Sequence, residues 1–438
     1  MGRIILRIFN GLNNMKTSRF IKLLFVIFSL AWCHPVLATY QGKALTLSEA
    51  ESLALSTSPE LQRFHAASSA WQQQAIADGQ LADPQLVVAA TNVPTNSFSF
   101  TQDDMTMEQI GLQQTFARGH SLSMKLKQGQ ALALGEKRKA EEKALTLVRT
   151  VRETWLELYY WTKALKVLQA NRTLYKNLLK VTQSLYQTGK INQSDVLQAQ
   201  LELSKLNDQM IQIQQQINVL RAQLDRWIGM EQSHRLLALS LPRWRDPLPL
   251  KQLQIRLQQH PVLSIDAATI AAAHSEAAYA KEQYKPGFLL NIGYAKRQGR
   301  FADGMSRSDF VGAQVTIDLP VFTTNRQDRQ LSASYDRLLA TKLDQQIHYR
   351  DLLQVLTSQY TIWNSLSRRE NVYKMQLIPE ARQNAKASLM AYQNTTAELT
   401  IVLRAYSSEL TIQLERIQLQ VERAKSRVTL LYLEGIAK

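Results

Sequence analysis

Cysteine is almost missing. The 438-residue chain has one, Cys33, so neither a disulfide framework nor a cysteine-based zinc site can be built. Glycine and proline are sparse at 16 and 11, and with abundant Leu, Gln, Ala, Ser and Arg this favours long helices over loops. After the N-terminal segment no run approaches the eighteen or so apolar residues of a membrane-spanning helix. Such a chain is either a soluble protein of the cell envelope or a β-barrel, whose strands are individually inconspicuous. The seven histidines form no His-x-x-x-His or His-Glu-x-x-His pair, and His65, His120, His274 and His348 read as helix-surface or turn residues. "GQLAD" and "GRFADG" lack the spacing of a phosphate loop. No catalytic, cofactor or metal site is expected. Met105-x-Met107 offers two thioethers of the kind copper(I) accepts, but two ordinary residues at a strand end are the simpler reading.

What is present begins with charge. The formal net charge is +16, which first suggests nucleic acid. Lys and Arg are spread along the chain and alternate with Glu, Asp and Gln on helical faces, so a solvated helix surface is the better reading and no nucleic-acid partner is expected. At the N-terminus Arg3, Arg7, Lys16, Arg19 and Lys22 precede "LLFVIFSLAW", and "HPVLA" follows. A basic segment, a short apolar core and a small residue at Ala38 make residues 1–38 a secretory signal peptide, with Met1 or Met15 as the start and Thr39 as the mature N-terminus. Lipidation at Cys33 is the rival, disfavoured by bulky Trp32. Removal of five basic and no acidic residues leaves a net charge of +11.

The chain repeats itself at an offset of about two hundred residues. "YQTGKINQSDVLQAQLEL" begins at Tyr186 and "YQNTTAELTIVLRAYSSEL" at Tyr392. "SPEL" at 58–61 matches "HPVL" at 260–263, "DPQL" at 83–86 matches "KPGF" at 285–288, and "IGLQQTF" at 110–116 matches "VGAQVTI" at 311–317. A period this long means tandem halves, not a solenoid. We place a first repeat at 39–240, a Pro-rich linker at 241–250 and a second repeat at 251–438. Each half opens on a proline suited to the first position of a helix, Pro59 or Pro261. Next comes a hairpin of two short β-forming runs around a polar loop, at about 84–117 and about 286–320. Val311, Ala313, Val315, Ile317 and Leu319 alternate with Gly312, Gln314 and Thr316, and Phe288, Leu290, Ile292 and Tyr294 share a face. Strands of about ten residues suit a tilted membrane strand. Proline-free stretches follow at 119–186 and 322–378, the first long enough for a helix of roughly 100 Å. Each half ends in a turn, at about 186–196 and about 392–400, and a return helix. Leu203, Leu206, Met210, Ile213, Ile217, Leu220, Leu224 and Trp227 step by three and four, as do Leu410, Leu414, Ile417, Val421, Ala424, Val428 and Leu431, which is a coiled-coil seam.

Two halves of this plan behind a signal peptide resemble the TolC-like outer-membrane efflux family, most specifically in "LTLSEAESLALSTSPEL" and in the turn motif Tyr186, Gly189, Asp195, Val196, Leu197 and Ala199. In the second turn Tyr392, Val402, Leu403 and Ala405 fit, while Thr395 stands where glycine is common and Ile401 where an acid is common. The resemblance implies a mainly helical homotrimer. Each chain would give four strands to a shared twelve-stranded barrel in outer-membrane lipid, and its helices to a periplasmic tunnel. The implied function is an exit duct joined by a periplasmic adaptor to an inner-membrane pump, of the resistance-nodulation-division type. Its docking tips would be Tyr186, Gly189, Lys190, Ser194, Asp195, Val196 and Leu197, and Tyr392, Gln393, Thr395, Leu399, Val402 and Leu403. Gly189 can take the left-handed conformation such a turn needs, and Ser194 is placed to cap the return helix with Asp195 in its first turn. The stretch "ADPQLVVAATNVPTNSFSFTQDDMTMEQIGLQQTF" resembles the heavy-metal branch of the family, implying metal cations as cargo. A type I secretion duct shares the fold. A soluble periplasmic coiled-coil adaptor or scaffold is the reading from another class, although the lipoyl-like or barrel domain it needs is not evident.

Overall fold

The computed structural model describes residues 44–436. The expected signal peptide, Cys33 and the Thr39 terminus lie outside the described residues. Helices dominate: α1 Leu47–Thr57, α2 Pro59–Asp78, α3 Ser121–Gln187, α4 Gln193–Ile228, α5 Met230–Ser233, α6 Leu250–Leu257, α7 Pro261–Glu282, α8 Gln327–Val372, α9 Ile378–Gln393 and α10 Leu399–Leu433. The strands are β1 Gln85–Thr91, β2 Met107–Phe116, β3 Gly287–Arg297 and β4 Phe310–Asp318. β1, at 7 residues, is shorter than the expected ten.

Pro59 and Pro261 each occupy the first turn of a helix, where a missing N–H is harmless. Ser58 caps α2 through its hydroxyl, and the His260 ring caps α7. α3 runs 67 residues, about 100 Å at 1.5 Å per residue. Its upper part packs on α2 and α7, its lower part on α4 and α10. α8 likewise packs on α7 above and α10 below. The helices thus lie side by side as α2–α3–α7–α8 near the sheet and as α4–α3–α10–α9 further down. The end of α4 abuts the start of α2, where the Thr57 hydroxyl donates to the Trp227 carbonyl at 3.1 Å and Arg226 pairs with Glu60 at 3.1 Å. The end of α10 abuts the start of α7 in the same way, with His260 Nε2 3.1 Å from the Tyr432 carbonyl.

The second helical stretch does not stop before Pro379. A π-turn at Tyr373–Leu377 joins α8 to α9, and Pro379 sits in the first turn of α9. The widened turn relieves both the missing donor and the ring clash with the preceding turn.

One main core runs from α1 down to the turns. The seam residues Leu206, Ile213, Ile217, Leu220 and Leu224 of α4 are buried in this core, as are Leu410, Val421 and Val428 of α10. α1 is strapped to this core: Leu45 pairs with Leu237 as an isolated parallel bridge, and Arg152 holds Glu51 at 2.7 Å.

Candidate functional site

The strands form one antiparallel sheet in the order β1-β2-β3-β4, so the two hairpins join through β2 and β3. Register fixes the faces, because directly opposed residues point the same way. Leu112 opposes Leu86 and Ile292, and Ile292 opposes Ala313. Phe288 opposes Phe116 and Ile317, and Tyr294 opposes Ile110 and Val311. This face, mostly apolar, is largely uncovered: Leu86, Val88, Leu112, Ile292, Val311 and Val315 are all exposed. A contiguous exposed apolar face of this size calls for a lipid or protein neighbour.

The opposite face carries Gln109, Gln113, Asn291, Gln314 and Thr316. Gly111, Gly293 and Gly312 stand in register across it. A Cβ at Gly111 would come within 3.1 Å of the Ile292 carbonyl oxygen, so glycine lets the strands approach closely here. A hollow of about 260 Å³ is lined mainly by residues of this face, which is therefore the concave side. β1 and β4 have no partner strand on their outer edges among the described residues.

The far ends of the helices are two turns of the same construction. In the first, Gly189 has φ +68°. Its N–H donates to the Tyr186 carbonyl at 2.9 Å and the Lys190 N–H to Leu185 at 2.9 Å, which is a Schellman closure. In the second, Thr395 has φ +60°, with Thr395 N–H to Tyr392 at 2.9 Å and Thr396 N–H to Ala391 at 2.9 Å. A β-branched residue thus holds the left-handed position that glycine fills in the other turn.

Ser194 does not cap α4. The extended residue before the helix is Asn192, whose carbonyl accepts from the Asp195 N–H at 3.2 Å, and no side chain caps. The helix begins one residue before the expected cap, leaving Ser194 inside the first turn beside Asp195, which is placed there as expected.

The two turns differ in exposure. Tyr186, Gly189, Lys190, Ser194 and Leu197 are exposed and Asp195 and Val196 half-buried, whereas Tyr392, Leu399, Val402 and Leu403 are buried within this chain. Burial pushes the Tyr392 phenol pKa up. Gln393 and Thr395 are exposed. Of the expected tip residues, Tyr186, Gly189, Lys190, Ser194, Leu197, Gln393 and Thr395 lie at the surface of this end, while the buried four pack the tip from inside.

Sequence reasoning missed His260. It is 1% exposed, with Nδ1 accepting from the Val262 N–H at 3.3 Å and Nε2 facing the Tyr432 carbonyl. Burial holds its pKa below the usual histidine value. Its place before Pro261 was the available signal. His348, expected to be a plain surface residue, is paired with Asp266 at 2.9 Å. Met105 is exposed and Met107 buried. No group of His, Cys, Asp or Glu that could hold a metal occurs among the described residues.

Residues 51–230 match the family described as outer membrane efflux protein. Among solved structures, the chain is similar to the outer membrane protein VceC of Vibrio cholerae, 19% identical over 89% of this chain and 96% of that one, with a TM-score of 0.76. It is similar to CusC, at 15% identity over 91% and 96% with a TM-score of 0.75. It is also similar to the MtrE outer membrane channel of Neisseria gonorrhoeae, at 12% identity over 89% of both chains with a TM-score of 0.71. At these identities the likeness is one of fold, and the fold is the expected TolC-like one. No curated protein sequence matches the chain. No described helix is long and apolar enough to cross a membrane.

Proposed function

We propose that this chain belongs to the outer membrane efflux protein family and is a passive exit duct, closed as a homotrimer, through which solutes delivered by an inner-membrane pump and a periplasmic adaptor leave the cell. The observation that carries the reading is the sheet: four strands with one exposed apolar face, one concave polar face and two open edges. Four strands cannot close on themselves, and lipid tolerates no open edge. Three copies, joined β4 to β1, would give twelve strands with the apolar face to outer-membrane lipid and the polar face to water. The helices then carry the interior roughly 100 Å inward, and their turns are the surfaces left for an adaptor. Nothing in this scheme calls for a catalytic group or a cofactor.

A pump of the resistance-nodulation-division type as partner rests on the resemblance of the sequence. Metal cations as cargo rest on the likeness of residues 82–116 to one branch, and the similar fold matches of VceC, CusC and MtrE do not choose among cargoes. A type I secretion duct has the same architecture, and the identity of the pump encoded beside this protein separates the two. The exposed apolar sheet argues against a soluble adaptor.

The tip supplies the test. Leu197 is 57% exposed and unneeded for the core, so Leu197→Asp should leave trimers in outer-membrane fractions while abolishing cross-linking to the adaptor and efflux-dependent resistance. Normal cross-linking and resistance would move the docking surface elsewhere, to Gln393 and Thr395 first.

A further inference from the structure

We propose that the cavity at the foot of the sheet, between the last turns of α7 and the first turns of α8, is a site inside the duct for organic anions. This assigns a cargo class and rests on the duct reading. The cavity measures about 360 Å³, within the roughly 300–1,000 Å³ typical of small-molecule sites.

Its position follows from Gly287. That residue opposes Asp318 and shares the concave face with Leu289, Asn291 and Gly293. A Cβ there would meet Asp318 Oδ2 at 3.2 Å and Arg118 Cγ at 3.3 Å. The Arg118 side chain therefore lies over the concave face, and the cavity it lines opens toward the interior.

Its chemistry follows from three guanidinium groups. Arg118, Arg326 and Arg337 line the cavity with Glu276 as the one acid. Arg118 reaches Asp318 at 3.5 Å and donates to the Gln283 carbonyl at 3.0 Å, and Arg337 pairs with Glu276 at 2.5 Å. Arg326 is exposed, and its guanidinium has no ion pair among the described residues. Three cations thus face two carboxylates. The N-terminal end of α8, 46 residues long and without a side-chain cap, adds positive potential that Asp328 in its first turn partly offsets. The guanidiniums suit a carboxylate, sulfonate or phosphate. Binding need only be weak, since a duct must release what it admits.

The test is calorimetric titration of the full-length, detergent-solubilised assembly with three probes of one frame: 4-hydroxybenzoate, 4-hydroxybenzyl alcohol and 4-hydroxybenzylamine. The anion should bind at least tenfold more tightly than the neutral and cationic probes. Arg326→Gln, on an exposed residue, should weaken it about tenfold. Equal affinity for the three probes, no measurable binding of the anion, or unchanged affinity in Arg326→Gln would overturn the site. Single-channel recording in planar bilayers reads the duct separately: an assembly that binds the anion but never conducts keeps the site and loses the cargo assignment, whereas one that conducts without binding the anion keeps the duct and loses the site.

Discussion

At Gly129 an added Cβ would sit 2.6 Å from Ala75 Cβ and 2.9 Å from Ala75 Cα. α2 and α3 touch backbone to backbone here, and neither can back away without disturbing the strand each feeds. Gly129→Val should therefore destabilise by about 1–3 kcal/mol, as overpacking does, read as a lower thermal midpoint. At the turns the left-handed position works the other way. A β-branched residue there loses about 1–2 kcal/mol, offset in part by the freedom glycine has in the unfolded chain. Thr395→Gly should be neutral or stabilising by less than about 1 kcal/mol, and Gly189→Val destabilising, both in chemical denaturation. His260 sets a pH dependence. Burial lowers its folded pKa below the ordinary 6.5, so between 6.5 and that lower value the unfolded chain binds a proton that the native chain does not, and stability is lost as the pH falls through that window. His260→Asn keeps a capping side chain and does not titrate, so thermal midpoints measured from pH 7.5 down to 5 should drop less steeply for the variant. Equal slopes would show that His260 is not the group responsible.

Among the elements, the sheet gives the sharpest contrast between neighbours. Ile292 lies on the apolar face and Asn291 on the concave polar face. An arginine against lipid near mid-membrane costs about 2–4 kcal/mol per site, and a trimer would carry three. Ile292→Arg should lower trimer yield in outer-membrane fractions far more than Asn291→Arg, and equal yields would reverse the facing. Much of this was legible in the sequence, because alternation of Phe288, Leu290, Ile292 and Tyr294 and of Val311 to Ile317 is a local signal. The long helices and the two glycine-class turns were legible for the same reason. What escaped depends on distant partners or on one-residue geometry. The strap of α1 rests on Leu45 meeting Leu237, which no local pattern announces. The π-turn absorbs Pro379, which sequence rules read as a break. Ser194 lost the cap to Asn192 because a polar cluster, Asn192-Gln193-Ser194, offers more than one start. In the second turn the motif residues Val402 and Leu403 are buried, since a motif can mark a geometry of closure as readily as a surface.

At the scale of the whole molecule, the account depends on the two sheet edges finding each other in different copies. Within one chain β1 and β4 are the outermost of four strands, so they stand roughly 14 Å apart at about 4.8 Å per step, too far for a disulfide. The only cysteine, Cys33, precedes the proposed mature terminus, so introduced cysteines report without background. The most direct measurement pairs Val88→Cys on β1 with a cysteine at Val311, Val315 or Ile317 on β4, which scans the unknown register, followed by oxidation in isolated outer membranes and non-reducing electrophoresis. The account predicts that at least one pair gives covalent dimers and trimers, that the ladder stops at three, and that either cysteine alone gives none. Monomers from every pair, or a ladder running beyond three, would contradict it.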